Sequence, residues 1–220
     1  MKKLFVPFLQ QAAHMSLDNV SALLLEQGTA SLIESVNWSK QFPYKPITEI
    51  YLLHTDKSLF IRFNVHGNLL KAVYTEDQSP VFKDSCVEFF CQLPGTTHYL
   101  NFEFNCIGTC SASRRKSRYE DVEQLSTDKM QLIKRFPSIG RRAFNELQGN
   151  FEWYLTVEIP FQLMGVDTVA RPETIRANFY KCADGTDSPH YVSWNPIQTE
   201  SPDFHCPEYF GEMIFKWDKD

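Results

Sequence analysis

Residues 84–90 read Asp-Ser-Cys-Val-Glu-Phe-Phe, and residues 99–108 read Tyr-Leu-Asn-Phe-Glu-Phe-Asn-Cys-Ile-Gly. In the second stretch, apolar side chains alternate with polar ones, which is the period-two pattern of a β-strand. Its polar face carries Asn101, Glu103 and Asn105. Short amide and carboxylate groups set between large apolar ones indicate a surface that holds a hydrogen-bonding ligand, because an ordinary solvated face uses Lys, Thr and Glu.

The same alternation occurs in residues 59–66, 84–93 and 174–182. If these strands share a sheet, one face collects a set of hydrogen-bonding side chains, namely Arg62, Glu88, Asn101, Glu103, Asn105, Arg176, Asn178 and Tyr180. Carboxylate, amide and guanidinium groups bind vicinal hydroxyls through paired hydrogen bonds. The alternative is a charge-compensated outer face in which arginine pairs with glutamate.

The spacing of apolar residues and turn signals predicts an all-β protein. The predicted strands are 47–55, 59–66, 86–93, 99–107, 130–136, 151–160, 174–182 and 212–217. The first two form a hairpin, residues 161–164 form one helical turn, and residues 183–211 form a long loop. We therefore expect a jelly-roll or immunoglobulin-like antiparallel β-sandwich over residues 36–220, with residues 1–35 as a short helical or irregular cap.

The 220 residues, 43% of them hydrophobic, suit one large domain with a sizeable core. The formal net charge of −5 argues against nucleic acid or an anionic membrane as the main partner. No apolar stretch approaches the ~20 residues that a membrane-spanning helix needs. The basic run at residues 114–118 is interpreted as a solvated loop, with phosphate contact as the alternative.

The chain has six cysteines, and their spacings are not those of a zinc site. We expect buried free thiols and therefore a reducing compartment. Lys2 and Lys3 precede a short apolar run that resembles a signal peptide, but Pro7 and Gln10 interrupt this run. These features favour a cytoplasmic protein, and a secreted one is the alternative.

Several motifs occur in one order along the chain, and each corresponds to a predicted strand or to the last loop. They lie at residues 59–65, 84–90, 99–108, 153–160, 175–181 and 194–211. Together they resemble the carbohydrate-binding module family 9-like domains over about residues 35–217. The resemblance implies a jelly-roll-like sandwich that binds sugars without cutting them.

Carried over residue by residue, the family's binding glutamate falls on Glu88, while a binding arginine falls near Asn101, which is a departure. The two tryptophans that sandwich the sugar in the family fall near Phe82 and at Phe204. A clamp of these phenylalanines is the implied arrangement, and plain core positions are the alternative. The resemblance also allows structural calcium, with Asp77 and Asp84 as candidate ligands; no other cofactor is expected.

Trp194 opens the long loop and is the tryptophan predicted to reach a ligand, and His205 is a second loop candidate. A glycosidase would need two carboxylates, for which Glu88 and Glu103 are candidates. Arg62 and Arg176 are expected to keep both ionised, which leaves no general acid.

The predicted function is therefore non-catalytic carbohydrate binding in support of polysaccharide catabolism, with a separate glycoside hydrolase as a candidate partner. The alternatives are a glycoside-active enzyme that uses Glu88 and Glu103, and a structural sandwich that binds no sugar. An enzyme predicts turnover that requires Glu88, whereas a structural role predicts that replacing Glu88 changes stability alone.

Overall fold

A computed structural model describes residues 1–167 and 171–217, and within them the chain forms thirteen strands. The strands are β1 (Lys3–Val6), β2 (Thr29–Leu32), β3 (Ile47–His54), β4 (Ser58–Ala72), β5 (Cys86–Gln92), β6 (Tyr99–Asn105), β7 (Cys110–Arg115), β8 (Glu123–Gln124), β9 (Lys134–Pro137), β10 (Phe144–Pro160), β11 (Thr174–Cys182), β12 (Tyr191–Ser193) and β13 (Gly211–Phe215).

In the described ranges these strands make two sheets. The larger sheet has eight strands in the order β1-β13-β11-β5-β6-β7-β8, and β12 also pairs with β11. The smaller sheet has five strands in the order β2-β3-β4-β10-β9. The pairing is antiparallel except between β1 and β13, which run parallel. The predicted sandwich is therefore confirmed.

Three α-helices accompany the strands in the part of the chain that is described: α1 (Leu17–Gln27), α2 (Thr127–Gln131) and α3 (Phe161–Met164). α1 lies on the outer face of the smaller sheet, where Val20 and Leu24 pack near Leu53 and Phe60. It ends at Gly28, where an added Cβ would lie only 2.5 Å from the carbonyl oxygen of Leu24. None of the described helices is long and apolar enough to cross a membrane.

The main core lies between the two sheets and is aromatic at its centre. Phe89 of β5 stacks on Phe179 of β11 at 5.1 Å and on Phe102 of β6 at 6.1 Å between ring centroids. From the smaller sheet, β10 contributes Trp153 and Leu155 to the same cluster. Trp153 is thus a core residue.

The larger sheet is also covered on its outer face. A second cluster there contains Phe90, Tyr99, Tyr180 and Phe210, together with loop residues from the C-terminal part of the chain. Strands β5 and β11 are consequently buried on both faces. Polar side chains on the outer face are therefore removed from bulk water unless a cavity exposes them.

Asp84 fixes the entry of the chain into β5. Its buried carboxylate accepts hydrogen bonds from the backbone N–H groups of Val73 and Tyr74, which follow β4, at 3.0–3.1 Å. It also accepts a hydrogen bond of 2.9 Å from Nδ2 of Asn105 in β6. The Asp84 side chain thus connects the end of β4 in the smaller sheet to β5 and β6 in the larger sheet.

The local patterns predicted several elements with their correct limits, including β11 and α3. The hairpin of β3 and β4 is confirmed by their antiparallel register. The single strand predicted over residues 130–136 is wrong, because Met130 ends up in α2 and the strand begins only at Lys134. The predicted long loop over residues 183–211 also contains β12.

Residues 1–35 do not lie over one end of the sandwich as a cap. They supply β1 to the larger sheet, β2 to the smaller sheet and α1 to the outer face of the smaller sheet. Leu4 and Val6 of β1 belong to the main core. All six cysteines are free and buried, as predicted.

Candidate functional site

A cavity of about 360 Å³ opens on the outer face of the larger sheet. Its base consists of side chains from β5, β6, β7 and β11, and its sides are formed by loops. The lining residues are Gln78, Ser79, Pro80, Phe82, Glu88, Glu103, Ser111, Arg115, Arg118, Tyr119, Cys182, Asp184, Tyr191, Pro202, Asp203, Phe204 and His205. We call this space the outer cavity.

Two glutamates lie side by side at the base of the outer cavity. Glu88 of β5 and Glu103 of β6 are direct cross-strand partners, and Glu103 is in turn opposite Ser111 of β7. Directly opposite residues on one face of a sheet have Cβ atoms about 4.5–5.5 Å apart. Only 3% of Glu88 and 7% of Glu103 are exposed, so both carboxyl groups are largely removed from water.

Glu103 is held in place by a directional series of hydrogen bonds. Arg115 donates from Nε and Nη2 to Ser113 Oγ at 2.9 and 2.6 Å, and Ser113 donates to Asn101 Oδ1 at 2.6 Å. Asn101 Nδ2 then donates to Glu103 Oε1 at 2.8 Å. Because Arg115 can only donate, Ser113 accepts from it and donates to Asn101. Asn101 in turn donates to Glu103, which is the acceptor at the end of the series.

Burial dominates the protonation of these carboxyl groups. Burial raises the pKa of Glu103 to about 7, although Arg115 and the hydrogen bond from Asn101 oppose the shift. Burial and the neighbouring Glu103 raise the pKa of Glu88 well above its usual range. The prediction that Arg62 and Arg176 keep both glutamates ionised is therefore wrong, since neither arginine is among the groups that set these pKa values.

Asp184 is a third carboxylate at the outer cavity. Burial raises its pKa to about 6, against a hydrogen bond from Tyr191 and the charge of Arg118. Its Oδ1 is buried and, among the described residues, is the one buried side-chain polar atom without a hydrogen-bond partner. Buried polar atoms are seldom left unpaired, and the Asp184 side chain is also one of those that line the outer cavity.

Aromatic side chains surround the carboxylates. Phe82, Tyr119, Tyr191 and Phe204 all line the outer cavity, and Tyr119 is 85% exposed. Phe204 stacks on Tyr180 with ring centroids 4.2 Å apart. Exposed aromatic faces next to hydrogen-bonding groups suit a ligand with both C–H and O–H surfaces.

His205 faces the outer cavity as a neutral ring. Its Nδ1 lies 2.9 Å from the hydroxyl of Tyr99. Burial, with smaller contributions from Arg115 and Arg118, lowers its pKa to about 3. A neutral imidazole has one donor and one acceptor nitrogen, so His205 can still exchange one hydrogen bond with a ligand.

The structure brings five of the predicted site residues to the outer cavity, namely Phe82, Glu88, Glu103, Phe204 and His205. Two more act from beneath: Asn101 orients Glu103, and Tyr180 supports Phe204 while donating to its carbonyl oxygen at 3.1 Å.

Three other predicted site residues lie on the expected face but serve the framework. Asn105 donates to Asp84, and Asn178 exchanges hydrogen bonds with the backbone of Asn195. Arg176 donates to the carbonyl oxygens of Glu208 and Phe210. They do not line the outer cavity.

Arg62 and Trp194 were predicted at the ligand, and the structure places both elsewhere. Arg62 is on β4 in the smaller sheet, where its guanidinium donates to Ser21 of α1 at 2.8 Å and lies 3.8 Å from the ring centre of Tyr154. Trp194 is 1% exposed, packs on Phe179 and donates to a serine of β2. The alternation of polar and apolar residues shows which face of a strand a side chain lies on, but it does not show which sheet the strand belongs to.

Sequence reasoning missed Arg115, Arg118 and Tyr119, which line the outer cavity. The basic run at 114–118 was interpreted as a solvated loop, and this is wrong for Arg115 because it belongs to β7. The signal was present: Ser111, Ser113 and Arg115 alternate in the same phase as the polar residues of β6. Arg115 also supplies a guanidinium that the family pattern would place near Asn101.

The candidate calcium ligands do not fit a calcium ion. The Asp84 carboxylate accepts from N–H groups on both oxygens, as described above. Asp77 accepts from Arg135 Nη1 and Nη2 at 2.6 and 2.9 Å and from the backbone N–H of Cys110 at 3.0 Å. A hard cation needs several free oxygen atoms, and these carboxylates face N–H donors instead.

Several solved structures are similar to this chain. The chain is similar to a proposed carbohydrate-binding protein from Bacteroides uniformis ATCC 8492, with 32% identity, a TM-score of 0.90 and coverage of 98% of this chain and 99% of that chain. None of the curated proteins matches the chain.

Two further similar structures come from a family 9 carbohydrate-binding module of Caldicellulosiruptor kristjanssonii. The module in complex with glucose has a TM-score of 0.58 and 11% identity, over 100% of this chain and 98% of that one. The module in complex with cellotriose has a TM-score of 0.54 and 11% identity, over 100% and 96%. At this identity the likeness shows the shared fold.

The family model for carbohydrate-binding family 9 matches residues 18–215, which include the whole larger sheet except β1 and all the residues of the outer cavity. With the fold and the 32% identical relative, this match shows that the chain belongs to carbohydrate-binding family 9.

Proposed function

We propose that the outer cavity binds a mono- or oligosaccharide and does not cleave it. One observation carries the proposal: Glu88, Glu103 and Asp184 line one cavity beside aromatic side chains. Carboxylate oxygens accept hydrogen bonds from hydroxyl groups, and these charge-assisted bonds are the strong ones. The volume of about 360 Å³ falls within the range of roughly 300–1,000 Å³ typical of small-molecule sites.

The residues have distinct roles in this proposal. Glu103, oriented by Asn101, accepts from one sugar hydroxyl, and Asp184 accepts from another. Arg118 and His205 offer hydrogen-bond donors at the opening. Phe82 or Tyr119 stacks on the C–H face of the sugar, since each lines the outer cavity and Phe204 is already stacked on Tyr180.

Calorimetric titration with glucose and cellotriose, preceded by a glycan array, tests the proposal. Above about pH 7, where Glu103 is ionised, Glu103→Gln removes a charged acceptor and keeps its shape. We therefore expect sugar affinity at that pH to fall by roughly 10- to 100-fold, the equivalent of about 1.5–3 kcal/mol for a hydrogen bond to a charged group. Glu152→Gln, on the exposed part of β10, is the matched control and should leave affinity unchanged. A folded protein that binds no glycan, or equal affinities for both variants, would contradict the proposal.

A second candidate is a glycoside-active enzyme. The observation that favours it is the opposed pair Glu88 and Glu103, both with raised pKa values, since a glycosidase needs one protonated and one ionised carboxyl group. We favour binding because members of carbohydrate-binding families are binding modules. Turnover of aryl glycosides by the protein, abolished in Glu88→Gln, would instead establish the enzyme.

The proposal extends to polysaccharide breakdown carried out by a separate glycoside hydrolase. Co-sedimentation with insoluble cellulose and xylan checks this extension. Binding to an insoluble polymer that free cellotriose displaces would support it. Binding to soluble sugars alone would restrict the ligand to small saccharides.

A further inference from the structure

A second group of polar atoms lies at the base of the outer cavity, where β5 and β11 run side by side. Cys86 and Cys182 are direct cross-strand partners, and Glu88 lies on the same face two residues after Cys86. The proposed sugar contacts use neither thiol. The two cysteines are far apart in sequence, so no local cysteine motif reveals the pair.

Both thiols donate hydrogen bonds to Glu88, and the three side chains lie close enough together to hold a metal ion. Sγ of Cys182 lies 3.1 Å from Glu88 Oε1, and Sγ of Cys86 lies 3.8 Å from the same oxygen. One ligand atom from each residue falls within 4.8 Å of the others. A tetrahedral zinc ion with bonds of about 2.3 Å to sulfur and about 2.0–2.2 Å to oxygen holds sulfur and oxygen ligands about 3.5–3.7 Å apart. The observed distances bracket this separation.

The three side chains lie beside the outer cavity, which leaves room for a fourth ligand. Cys182 and Glu88 line the outer cavity, while Cys86 lies behind them and is fully buried. An ion held by the three protein atoms would therefore face the cavity with one coordination position. Three protein ligands with one open position are the arrangement of zinc sites that also bind a small molecule.

Metal binding at this position requires both thiols to lose their protons. Burial raises the pKa of the Cys86 thiol to about 12 and that of Cys182 well above its usual range, so both are protonated in the metal-free protein. A bound dication reverses this balance and displaces protons from its thiol ligands. Within the described residues, no other cluster of His, Cys, Asp and Glu brings three ligand atoms this close.

We propose that Cys86 Sγ, Cys182 Sγ and Glu88 Oε1 bind a thiophilic divalent cation of the zinc class at the base of the outer cavity. A cross-strand disulfide is the other chemistry open to two opposed cysteines. The carboxylate oxygen of Glu88 favours the metal, because it lies near both sulfur atoms and would take no part in a disulfide bond.

Titration of the reduced, metal-free protein with Co²⁺, followed by displacement with Zn²⁺, tests the site in the absence of sugar. Thiolate ligation gives an intense sulfur-to-cobalt charge-transfer band in the near ultraviolet. We expect one equivalent to bind, and Cys182→Ala to weaken Zn²⁺ binding by at least about 100-fold, since loss of an outer partner alone costs about 10–100-fold. Cys91→Ala is the control, because Cys91 lies on β5 like Cys86 but faces the core.

X-ray absorption at the zinc edge of the unmodified protein provides a test that does not depend on the folding of a variant. Two sulfur atoms at about 2.3 Å with oxygen in the remaining shell would support the proposal. The absence of the charge-transfer band, equal affinities in Cys182→Ala and Cys91→Ala, or a stable Cys86–Cys182 disulfide after incubation in mild reductant would each overturn it.

Discussion

Glu103 is oriented by a series of side chains, two of which, Asn101 and Ser113, do not line the outer cavity. Asn101 and Ser113 connect it to Arg115, and each of their polar atoms has a defined partner. Because the series is directional, a change in any member alters the acceptor strength of Glu103. The groups that determine ligand affinity therefore extend beyond the lining of the outer cavity.

The ion pair of Asp77 and Arg135 leads to a prediction of pH dependence. Burial would raise the pKa of Asp77, but hydrogen bonds from Arg135 and the Cys110 N–H outweigh it and lower the pKa. A lowered folded-state pKa stabilises the protein above the unfolded-state pKa of about 3.9, and this stabilisation is lost as pH falls. Asp77→Asn should therefore reduce the free energy of unfolding by about 1 kcal/mol near neutral pH, since the pair is partly exposed.

Urea denaturation at about pH 7 and about pH 2.5 measures this difference. At the lower pH, the original protein and Asp77→Asn should have nearly the same stability. Asp56→Asn is the control, because the Asp56 carboxylate accepts a hydrogen bond from the Gln10 side chain at the protein surface. A difference for Asp77→Asn that is equal at both pH values would contradict the assignment.

Single residues also show how far the sequence can lead. The shared sheet face of Glu88 and Glu103 was predicted correctly, because the alternation and the family motif are both local patterns. Arg62 and Trp194 were misplaced because their strands and loops pair with partners distant in sequence. Non-local pairing is decided by packing of the whole chain, which a period-two pattern does not encode.

At the scale of elements, Asp84 connects the end of β4 with the beginning of β5 and with β6. Replacing it by asparagine puts an N–H group where N–H donors of Val73 and Tyr74 already point. Each buried donor left unsatisfied costs about 1–3 kcal/mol, so Asp84→Asn should lower the free energy of unfolding by about 3 kcal/mol or more.

Chemical denaturation of Asp84→Asn against Asp56→Asn measures this effect. The control should change stability by less than about 0.5 kcal/mol, as exposed substitutions do. An equal, small effect in both variants would show that the junction of β4, β5 and β6 does not depend on this carboxylate.

Residues 110–136 show why element limits were harder to predict. β7 was missed because its last residues form part of a basic run, although Ser111 and Ser113 alternate as in its neighbours. Met130 and Ile133 are both buried, but a helical turn rather than a strand separates them. An apolar spacing of three fits a helix, and over so short a segment the two periods are hard to distinguish.

At the scale of the whole molecule, the N-terminal segment is part of the sandwich. β1 pairs with β13 in parallel at the edge of the larger sheet, and Leu4 and Val6 fill the core between the sheets. In a chain that begins at Pro7, the free energy of unfolding should be lower by about 3–6 kcal/mol. Burial of Leu4 and of Val6 contributes about 1.5–3 kcal/mol each.

Thermal and urea unfolding of this shortened chain tests the prediction. Phe5→Ala is the matched control, because Phe5 lies between the two core residues and is 51% exposed. It should behave nearly as the original protein. A shortened chain of unchanged stability would mean that β1 only covers a sandwich that is complete without it.

The base of the outer cavity lies on the outer face of strands such as β5 and β6, whose inner face contributes to the core. The binding surface is therefore rigid before any ligand arrives, and little conformational entropy is lost there on association. The surrounding loops carry most of the remaining lining residues and few of the core residues. Substitutions in the loops can consequently change ligand preference while the sandwich folds as before. A new binding specificity could therefore be introduced by exchanging the loops alone.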